Sequence, residues 1–222
     1  MVYAIVPVNV LKASKARLAP TLDASNRSRL SAAMLLDVLR ALQKVRRINR
    51  ITVVSADFSV RRITRRVGVH FLWEGRRRGL NKAVRLALRD ALQRNASAAL
   101  ILPADIPLIT PQEIGRFLNL SDDYPISLTP SKDGAGTNAL LLRPPGMSRP
   151  AFGKNSFGRH RSIARQKGLR PRVVKLRGIA LDVDEPSDLT LLKRRSLTNE
   201  TGRFLKSIEA ERFGKNRAKH ID

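Results

Sequence analysis

Hydrophobic residues follow two alternating patterns along the first half of the chain. Short, nearly continuous apolar runs are typical of strands buried on both faces, whereas apolar residues at helical spacing indicate amphipathic helices. The apolar runs are residues 2–8, 50–56, 69–73 and 98–103. The amphipathic stretches between them are residues 25–45, 60–67 and 80–95. This alternation predicts an α/β fold with a mostly parallel sheet and helices on both faces.

The second half of the chain contains shorter elements of the same kinds. A helix is predicted to begin at Thr110, which is suited to cap it, with Pro111 in the first turn and Glu113 completing a capping box. The further predicted strands are residues 125–131, 137–144, 171–176 and 179–183, and the further predicted helices are residues 155–168 and 186–195. We expect one domain over residues 1–195 and a basic C-terminal tail over residues 196–222, part of it helical.

The composition is that of a globular protein. Hydrophobic residues make up 42% and charged residues 27% of the 222 residues, which excludes a disordered chain. Cysteine is absent, so disulfides and thiolate metal sites are excluded. The apolar run at the N-terminus has neither a basic n-region nor a small-residue cleavage site, so we expect no signal peptide. No apolar stretch approaches the roughly 20 residues that span a bilayer. We therefore expect a cytoplasmic protein without a membrane segment.

The net charge of +25, from 43 basic and 18 acidic residues, indicates a polyanionic partner. Nucleic acid, an anionic surface and small substrates dense in phosphate are the candidate classes. Aromatic residues make up only 5% of the chain, so there are few platforms on which single-stranded bases stack. The alternative to a polyanionic partner is a basic surface that is only solvated. We interpret the arginines between residues 61 and 66 in this way. The arginines at 76–78 are better placed to meet a substrate.

Three acids are predicted to follow strands at the edge where ligands bind in such folds. Asp105 follows the fourth apolar run and lies between two prolines. Asp182 and Asp184 share one face of an extended segment, because strand side chains repeat with a period of two. If the three converge, they form an oxygen-lined site suited to Mg²⁺. The alternatives are that Asp105 stabilises a turn and that Asp184 or Ser187 caps the helix that follows.

Several short segments are of the kinds that bind phosphate. Gly134 and Gly136 lie in a loop whose backbone N–H groups are free to turn toward an anion. Gly153 and Ser156 are predicted at the start of a helix, where N–H groups and the helix dipole favour a phosphate. His160, in the same helix, is interpreted as a structural hydrogen-bonding residue. The chain has no GxxxxGK[ST] motif, which excludes a P-loop nucleotide site.

Taken in order, six segments resemble the 2-phospho-L-lactate guanylyltransferase family over residues 5–189. They are VPVNVLKASKARLAP, GLNKA, LILPADIPLI, GTNALLLRPP, FGKNSFGRH and ALDVDEPSDL. The resemblance implies a Rossmann-like three-layer sandwich of the nucleotide-diphospho-sugar transferase type, with residues 1–195 as the guanylyltransferase domain. It also implies transfer of GMP from GTP to 2-phospho-L-lactate, with release of pyrophosphate and formation of lactyl-diphospho-guanosine for coenzyme F(420) biosynthesis.

The resemblance also implies roles for individual residues. It assigns Mg²⁺ to Asp105, Asp182 and Asp184, and it assigns the acceptor's phosphate to Thr137, Gly153 and Ser156. It assigns the nucleotide to Lys12, Lys15, Arg17, Gly79 and Asn81, with Lys15 and Arg17 catalytic because both reach the leaving pyrophosphate. The chain departs from the family at Asn9, where a lysine is usual, and Lys12 is the nearby cation that replaces this charge.

Two alternatives to this reaction stay open. Phosphoenolpyruvate and 3-phosphoglycerate also carry a phosphate and a carboxylate, so the motifs do not separate them from 2-phospho-L-lactate as acceptor. A basic nucleic-acid-binding protein is the alternative of another class, although acids at strand ends make nucleic acid the less favoured partner. We further expect a homodimer that hands its product to the next transferase of the pathway.

Overall fold

The computed structural model describes residues 1–76 and 79–218. Two of the three arginines that we predict to meet a substrate, Arg77 and Arg78, therefore lie outside the described residues, as do the last four residues of the predicted tail. Among the described residues, no helix is both long enough and apolar enough to span a bilayer.

The described residues form one sheet flanked by helices. The strands are β1 (Val2–Pro7), β2 (Ile48–Ser55), β3 (His70–Trp73), β4 (Ala98–Ile101), β5 (Ile126–Pro130), β6 (Thr137–Leu142) and β7 (Arg172–Val173). The helices are α1 (Ala24–Gln43), α2 (Phe58–Arg66), α3 (Leu80–Gln93), α4 (Pro111–Asn119), α5 (Ser156–Gln166), α6 (Arg177–Ala180), α7 (Pro186–Lys193) and α8 (Glu200–Ala218). The strand order is β3-β2-β1-β4-β6-β5-β7, and only β6 runs antiparallel to its neighbours. The predicted mostly parallel sheet is confirmed.

The three layers follow from the alternation of side chains along buried strands. In β1, Ala4 and Val6 belong to the hydrophobic cluster shared with α1, α2 and α4 on one face. Ile5, between them, belongs to the cluster shared with α3 and α5 on the other face. Because both faces are covered, the strand is apolar throughout, which is why it appears as a continuous hydrophobic run in the sequence.

The strand predicted at residues 179–183 is wrong. The structure has the short helix α6 followed by an extended segment outside the sheet. A side chain, and not a neighbouring strand, bonds two of its carbonyl oxygens: Asn138 Nδ2 donates to those of Ile179 and Ala180 at 3.0 and 3.1 Å. Just before it, Gly178 N donates to Glu113 Oε1 at 2.8 Å. Glu113 therefore does not close the predicted capping box, although Thr110 Oγ1 caps α4 as predicted, accepting from Glu113 N at 3.1 Å.

The first part of the predicted tail is the helix α8, which packs against α1. Phe204, Leu205 and Ile208 are buried in a cluster with apolar residues of α1. The buried Asp37 carboxylate accepts from Glu200 N at 2.8 Å and from the next backbone N–H at 2.9 Å, and so caps α8. The helical content of the tail agrees with the prediction, while the domain boundary at residue 195 stays a prediction.

Candidate active site

A cleft of about 470 Å³ opens at the edge of the sheet where β1 and β4 end. Because β6 runs antiparallel to β4, its first residue, Thr137, comes to the same edge as Asp105, which follows β4. Seven predicted site residues line the cleft, namely Lys15, Asp105, Thr137, Gly153, Ser156, Asp182 and Asp184. The structure therefore brings the predicted metal and acceptor residues together around one cavity.

Lys15, in the loop after β1, bridges two of the predicted acids. Its Nζ donates to Asp105 Oδ2 at 2.5 Å and to Asp184 Oδ1 at 2.7 Å, and its side chain is only 7% exposed. The backbone of Lys15 is left-handed, with φ 56° and ψ 41°, which costs a non-glycine residue about 1–2 kcal/mol. Burial lowers the pKa of Lys15, but the charges of Asp105 and Asp184 outweigh burial and raise the pKa overall. Lys15 is therefore cationic at neutral pH.

Asp182 is brought to Asp105 by a hydrogen bond between their two segments. Val183 N donates to the Asp105 carbonyl oxygen at 3.0 Å, which holds residues 182–184 along the end of β4. Asp182 Oδ1 accepts from Asn138 Nδ2 at 3.1 Å. Burial raises the pKa of Asp182, the Asn138 bond lowers it, and the charge of Asp105 raises it again, so the pKa is raised overall. The three acids thus converge on one site, which is the condition under which the sequence predicts an oxygen-lined site suited to Mg²⁺.

Asp188, which sequence reasoning missed, frees Asp184 for the cleft. Asp188 Oδ2 accepts from the backbone N–H groups of Asp184 and Glu185, both at 3.0 Å, at the start of α7. The start of the helix is therefore bonded by a later acid, and the alternative in which Asp184 or Ser187 caps it is excluded. The spacing of Asp188, three residues after Glu185, is the signal that identifies this arrangement. Lys132 Nζ donates to the other Asp188 oxygen at 2.6 Å.

The acceptor side of the cleft contains the start of α5 and the start of β6. Ser156 is the first residue of α5 and is buried, and Gly153 precedes it with φ 110°, which glycine adopts without strain. Thr137 Oγ1 lies 3.0 Å from His160 Nδ1. Burial lowers the pKa of His160 to about 4, so the imidazole is neutral at pH 7, and its predicted structural hydrogen bonding is confirmed.

Four backbone amides in the segments expected to bind phosphate are already bonded. Ser156 N donates to Gly153 O, and the next N–H of α5 donates to Ala135 O, both at 3.0 Å. In the preceding loop, Gly134 N donates to a carbonyl oxygen, and Gly136 N donates to the hydroxyl of Ser131. The prediction that these loop glycines present free N–H groups to an anion is therefore wrong.

Four residues of the predicted nucleotide set do not line the cleft, namely Lys12, Arg17, Gly79 and Asn81. Arg17 is 73% exposed and lies 3.5 Å from a carboxylate oxygen of Glu185. Asn81 bonds the backbone of Phe152, accepting from its N–H at 2.8 Å and donating to its carbonyl oxygen at 3.0 Å. Asn81 thus tethers the loop that contains Gly153, and nucleotide contacts by these four residues stay predictions.

The cleft lining is acidic although the chain is strongly basic. Among residues 1–76 and 79–218, its charged side chains are Asp105, Asp182, Asp184 and Lys15, so this part of the lining presents more negative than positive charge to an entering polyphosphate. Asp105 Oδ1 is buried and has no hydrogen-bond partner, which costs free energy unless a donor or a cation meets it. These oxygens suit a hard divalent cation. Within residues 1–76 and 79–218, however, no three such side chains form a ready metal site, and Lys15 Nζ lies between Asp105 and Asp184.

Comparison with known proteins identifies similar sequences along almost the whole chain. Residues 2–218 match the family described as guanylyl transferase CofC like. A phosphoenolpyruvate guanylyltransferase of Sphaerobacter thermophilus is 40% identical over 187 residues, covering 84% of this chain and 89% of the relative. A 2-phospho-L-lactate guanylyltransferase of Methanothermobacter thermautotrophicus is 38% identical over 186 residues, covering 84% of this chain and 81% of the relative.

Among solved structures, a putative nucleotide-diphospho-sugar transferase from Desulfovibrio desulfuricans superposes with a TM-score of 0.77. The two chains are 16% identical, and the superposition covers 94% of this chain and 95% of the other. At that identity the likeness concerns the fold alone. It agrees with the three-layer sandwich and the sheet order described above.

Proposed function

The chain belongs to the family of CofC-like guanylyl transferases, and we propose that it transfers GMP from GTP to the phosphate of a small phospho-acid, releasing pyrophosphate. Its relatives are nucleotidyltransferases by name. The observation that carries the proposal is a single cleft whose lining contains two different sets of groups. One set is the three acids with Lys15, and the other is the hydroxyl residues Thr137 and Ser156.

The proposed acceptor is 2-phospho-L-lactate, with lactyl-diphospho-guanosine as the product for coenzyme F(420) biosynthesis. Phosphoenolpyruvate is the second candidate, because the Sphaerobacter relative, which is 40% identical, is named a phosphoenolpyruvate guanylyltransferase. Both molecules carry a phosphate beside a carboxylate. Hydroxyl donors at the start of α5 and β6 suit either phosphate, so the assay described below separates them.

In this proposal the chain works by holding two anions together. An acceptor phosphate oxygen attacks the α-phosphorus of GTP in line, and the bond to pyrophosphate breaks. The attacking oxygen is already anionic at neutral pH, so no general base is needed. Lys15 is cationic, so it cannot serve as a general base. Its role is to neutralise charge on the leaving pyrophosphate, while Thr137 and Ser156 orient the acceptor.

Nucleotidyltransferases of this fold commonly use a divalent metal, and we propose Mg²⁺ here. Asp105, Asp182 and Asp184 would hold it, since their oxygens suit a hard cation and Asp105 Oδ1 lacks a partner. When bound, Mg²⁺ offsets the charge of the triphosphate and of the transition state. Lys15 then exchanges at least one of its two carboxylate contacts for a phosphate oxygen.

The test is an assay of purified protein with GTP, Mg²⁺ and each phospho-acid in turn, scored by pyrophosphate release. We expect release with 2-phospho-L-lactate or phosphoenolpyruvate and none without an acceptor. ATP and CTP in place of GTP test the nucleotide. Absence of pyrophosphate with every phospho-acid contradicts the proposal.

The proposal also includes a homodimer, cytoplasmic location and product hand-over, and sedimentation of the purified protein tests the homodimer.

Replacing Ser156 by alanine is expected to weaken binding of the phospho-acid more than binding of GTP. The expected loss is about 1–2 kcal/mol, the scale of one hydrogen bond to a charged group, and it is measured as KM for each substrate. Ser196→Ala, at an exposed serine after α7, is the matched control and keeps both KM values. Equal losses for the two substrates contradict the assignment of Ser156 to the acceptor.

A second prediction separates catalysis from the basic surface. Arg61, Arg62, Arg65 and Arg66 are exposed on α2 and do not line the cleft. Replacing all four by glutamine is expected to weaken oligonucleotide binding and its salt dependence, and to leave GMP transfer unchanged. Tight, sequence-selective binding at physiological salt, without pyrophosphate release for any phospho-acid, favours the nucleic-acid-binding alternative.

A further inference from the structure

His160 joins the two walls of the acceptor end of the cleft. Its side chain is buried, with the residue only 2% exposed, and both ring nitrogens are within hydrogen-bond distance of a partner. Nε2 accepts from Ala151 N at 2.9 Å, and Nδ1 lies 3.0 Å from Thr137 Oγ1. We propose that His160 is a positioning residue that sets the Thr137 hydroxyl to donate its proton to the phosphate of the acceptor. This inference rests on the proposed function.

The two hydrogen bonds determine which nitrogen carries the proton. The N–H of Ala151 can only donate, so Nε2 of His160 must present its lone pair. In a neutral imidazole the proton is then on Nδ1, which donates to Thr137 Oγ1. A hydroxyl that accepts from the ring keeps its own proton free for another acceptor. Because Thr137 lines the cleft, that proton is available to an anion bound there.

The same imidazole also fixes the loop on the other wall. Ala151 lies in the loop between β6 and α5, two residues before Gly153, and this loop leads into Ser156 at the start of α5. The ring of Phe152 contacts the imidazole edge-on, with centroids 5.0 Å apart. His160 therefore links all three residues assigned to the acceptor's phosphate. It is not itself one of the residues that line the cleft, and it lies behind them.

Two substitutions separate the two hydrogen bonds. His160→Gln places an amide oxygen near the position of Nε2, so it retains the bond from Ala151 and loses the donor to Thr137. His160→Asn places an amide N–H near the position of Nδ1, so it retains the donor to Thr137 and loses the other bond. A merely structural histidine predicts similar effects of the two changes. A positioning histidine predicts that only His160→Gln affects the acceptor.

The experiment measures KM for the phospho-acid, KM for GTP, and kcat in both variants. We expect His160→Gln to raise KM for the phospho-acid about tenfold, the scale of one hydrogen bond to a charged group, with KM for GTP and kcat little changed. We expect His160→Asn to stay within about twofold of the wild type. Equal effects of the two variants, or a parallel rise of both KM values, overturns the inference.

Coupling to Thr137 is the second measurement. In a Thr137→Val background, which has no hydroxyl to orient, His160→Gln is expected to change KM for the phospho-acid no further. The same tenfold rise in that background overturns the inference. The proton–nitrogen NMR spectrum of the imidazoles reports the tautomer without substrate, with the signal of His160 assigned as the one that remains in the double variant His70→Gln/His220→Gln. A proton on Nε2 also overturns the inference, even if the variants fail to fold.

These measurements keep failure of the inference distinct from failure of the proposed function. If the wild type releases pyrophosphate with a phospho-acid and His160→Gln behaves as His160→Asn does, only the inference fails. If the wild type uses no phospho-acid at all, the proposed function fails. The inference fails with it, because the acceptor whose phosphate Thr137 contacts is then absent.

Discussion

Replacing Asp105 by asparagine is expected to leave the fold intact and to lower turnover by roughly a hundredfold or more. Asp105 Oδ2 bonds Lys15, and Asp105 Oδ1 is buried without a partner, so this carboxylate is held ready for a cation. Asparagine has nearly the same shape but is neutral and presents one oxygen instead of two. The measurement is kcat for GMP transfer at saturating GTP and Mg²⁺, beside a thermal unfolding curve.

The matched control for this variant is Asp123→Asn, the same chemical change at an exposed aspartate after α4. It is expected to keep full turnover. The concentration of Mg²⁺ needed for half-maximal activity should rise in Asp105→Asn and stay unchanged in the control. If the Asp105→Asn protein folds and keeps near-full activity in Mg²⁺, Asp105 is not part of the proposed metal site.

The parts of the fold that sequence reasoning predicted are those in which one physical rule acts alone. Strands buried on both faces have to be apolar throughout, so β1 and β4 are visible as continuous runs. Parallel strands end at one edge, so acids that follow them meet there. Sequence reasoning left the meeting of Asp105 with Asp182 and Asp184 as a condition, and the structure places all three around the cleft, although Asp182 and Asp184 lie in an extended segment outside the sheet.

The parts that sequence reasoning missed depend on long-range partners. The segment at residues 179–183 has strand-like residues, but Asn138 bonds the carbonyl oxygens that a neighbouring strand would otherwise bond. The amides at the start of α5 were expected to be free, but the carbonyl oxygen of Ala135 accepts from that of Phe157, 22 residues later. Local sequence does not reveal such partners, because tertiary contacts override local preference.

Charge was the least informative guide to the cleft. The net charge of +25 suggested a basic funnel for polyanions, yet the charged residues lining the cleft in the described part of the chain are three acids and Lys15. The explanation is local: the acids come from the ends of β4 and of the segment before α7, whereas basic residues such as Arg61 and Arg62 lie on exposed helix faces. On the proposed function, the attraction for GTP in this cleft comes from a bound cation together with Lys15.

Replacing Lys15 by methionine is expected to have the second large effect, again lowering turnover by about a hundredfold. Methionine retains the length of the side chain and removes its charge. The loss should appear in kcat and in KM for GTP, because Lys15 is proposed to contact the leaving pyrophosphate. KM for the phospho-acid should change little. Lys44→Met, at an exposed lysine that follows α1, is the matched control.

The same variant makes a prediction that does not depend on turnover. Lys15 Nζ contacts Asp105 and Asp184 at 2.5 and 2.7 Å, so a divalent cation has to compete with the ammonium for their oxygens. Removing the ammonium leaves the three acids to repel one another. Lys15→Met is therefore expected to bind Mg²⁺ more tightly than the wild type when no GTP is present, and to be stabilised more by it against thermal unfolding. Calorimetric titration of Mg²⁺ into both proteins measures this difference. Equal Mg²⁺ affinities in the two proteins contradict the competition between Lys15 and the metal at these carboxylates.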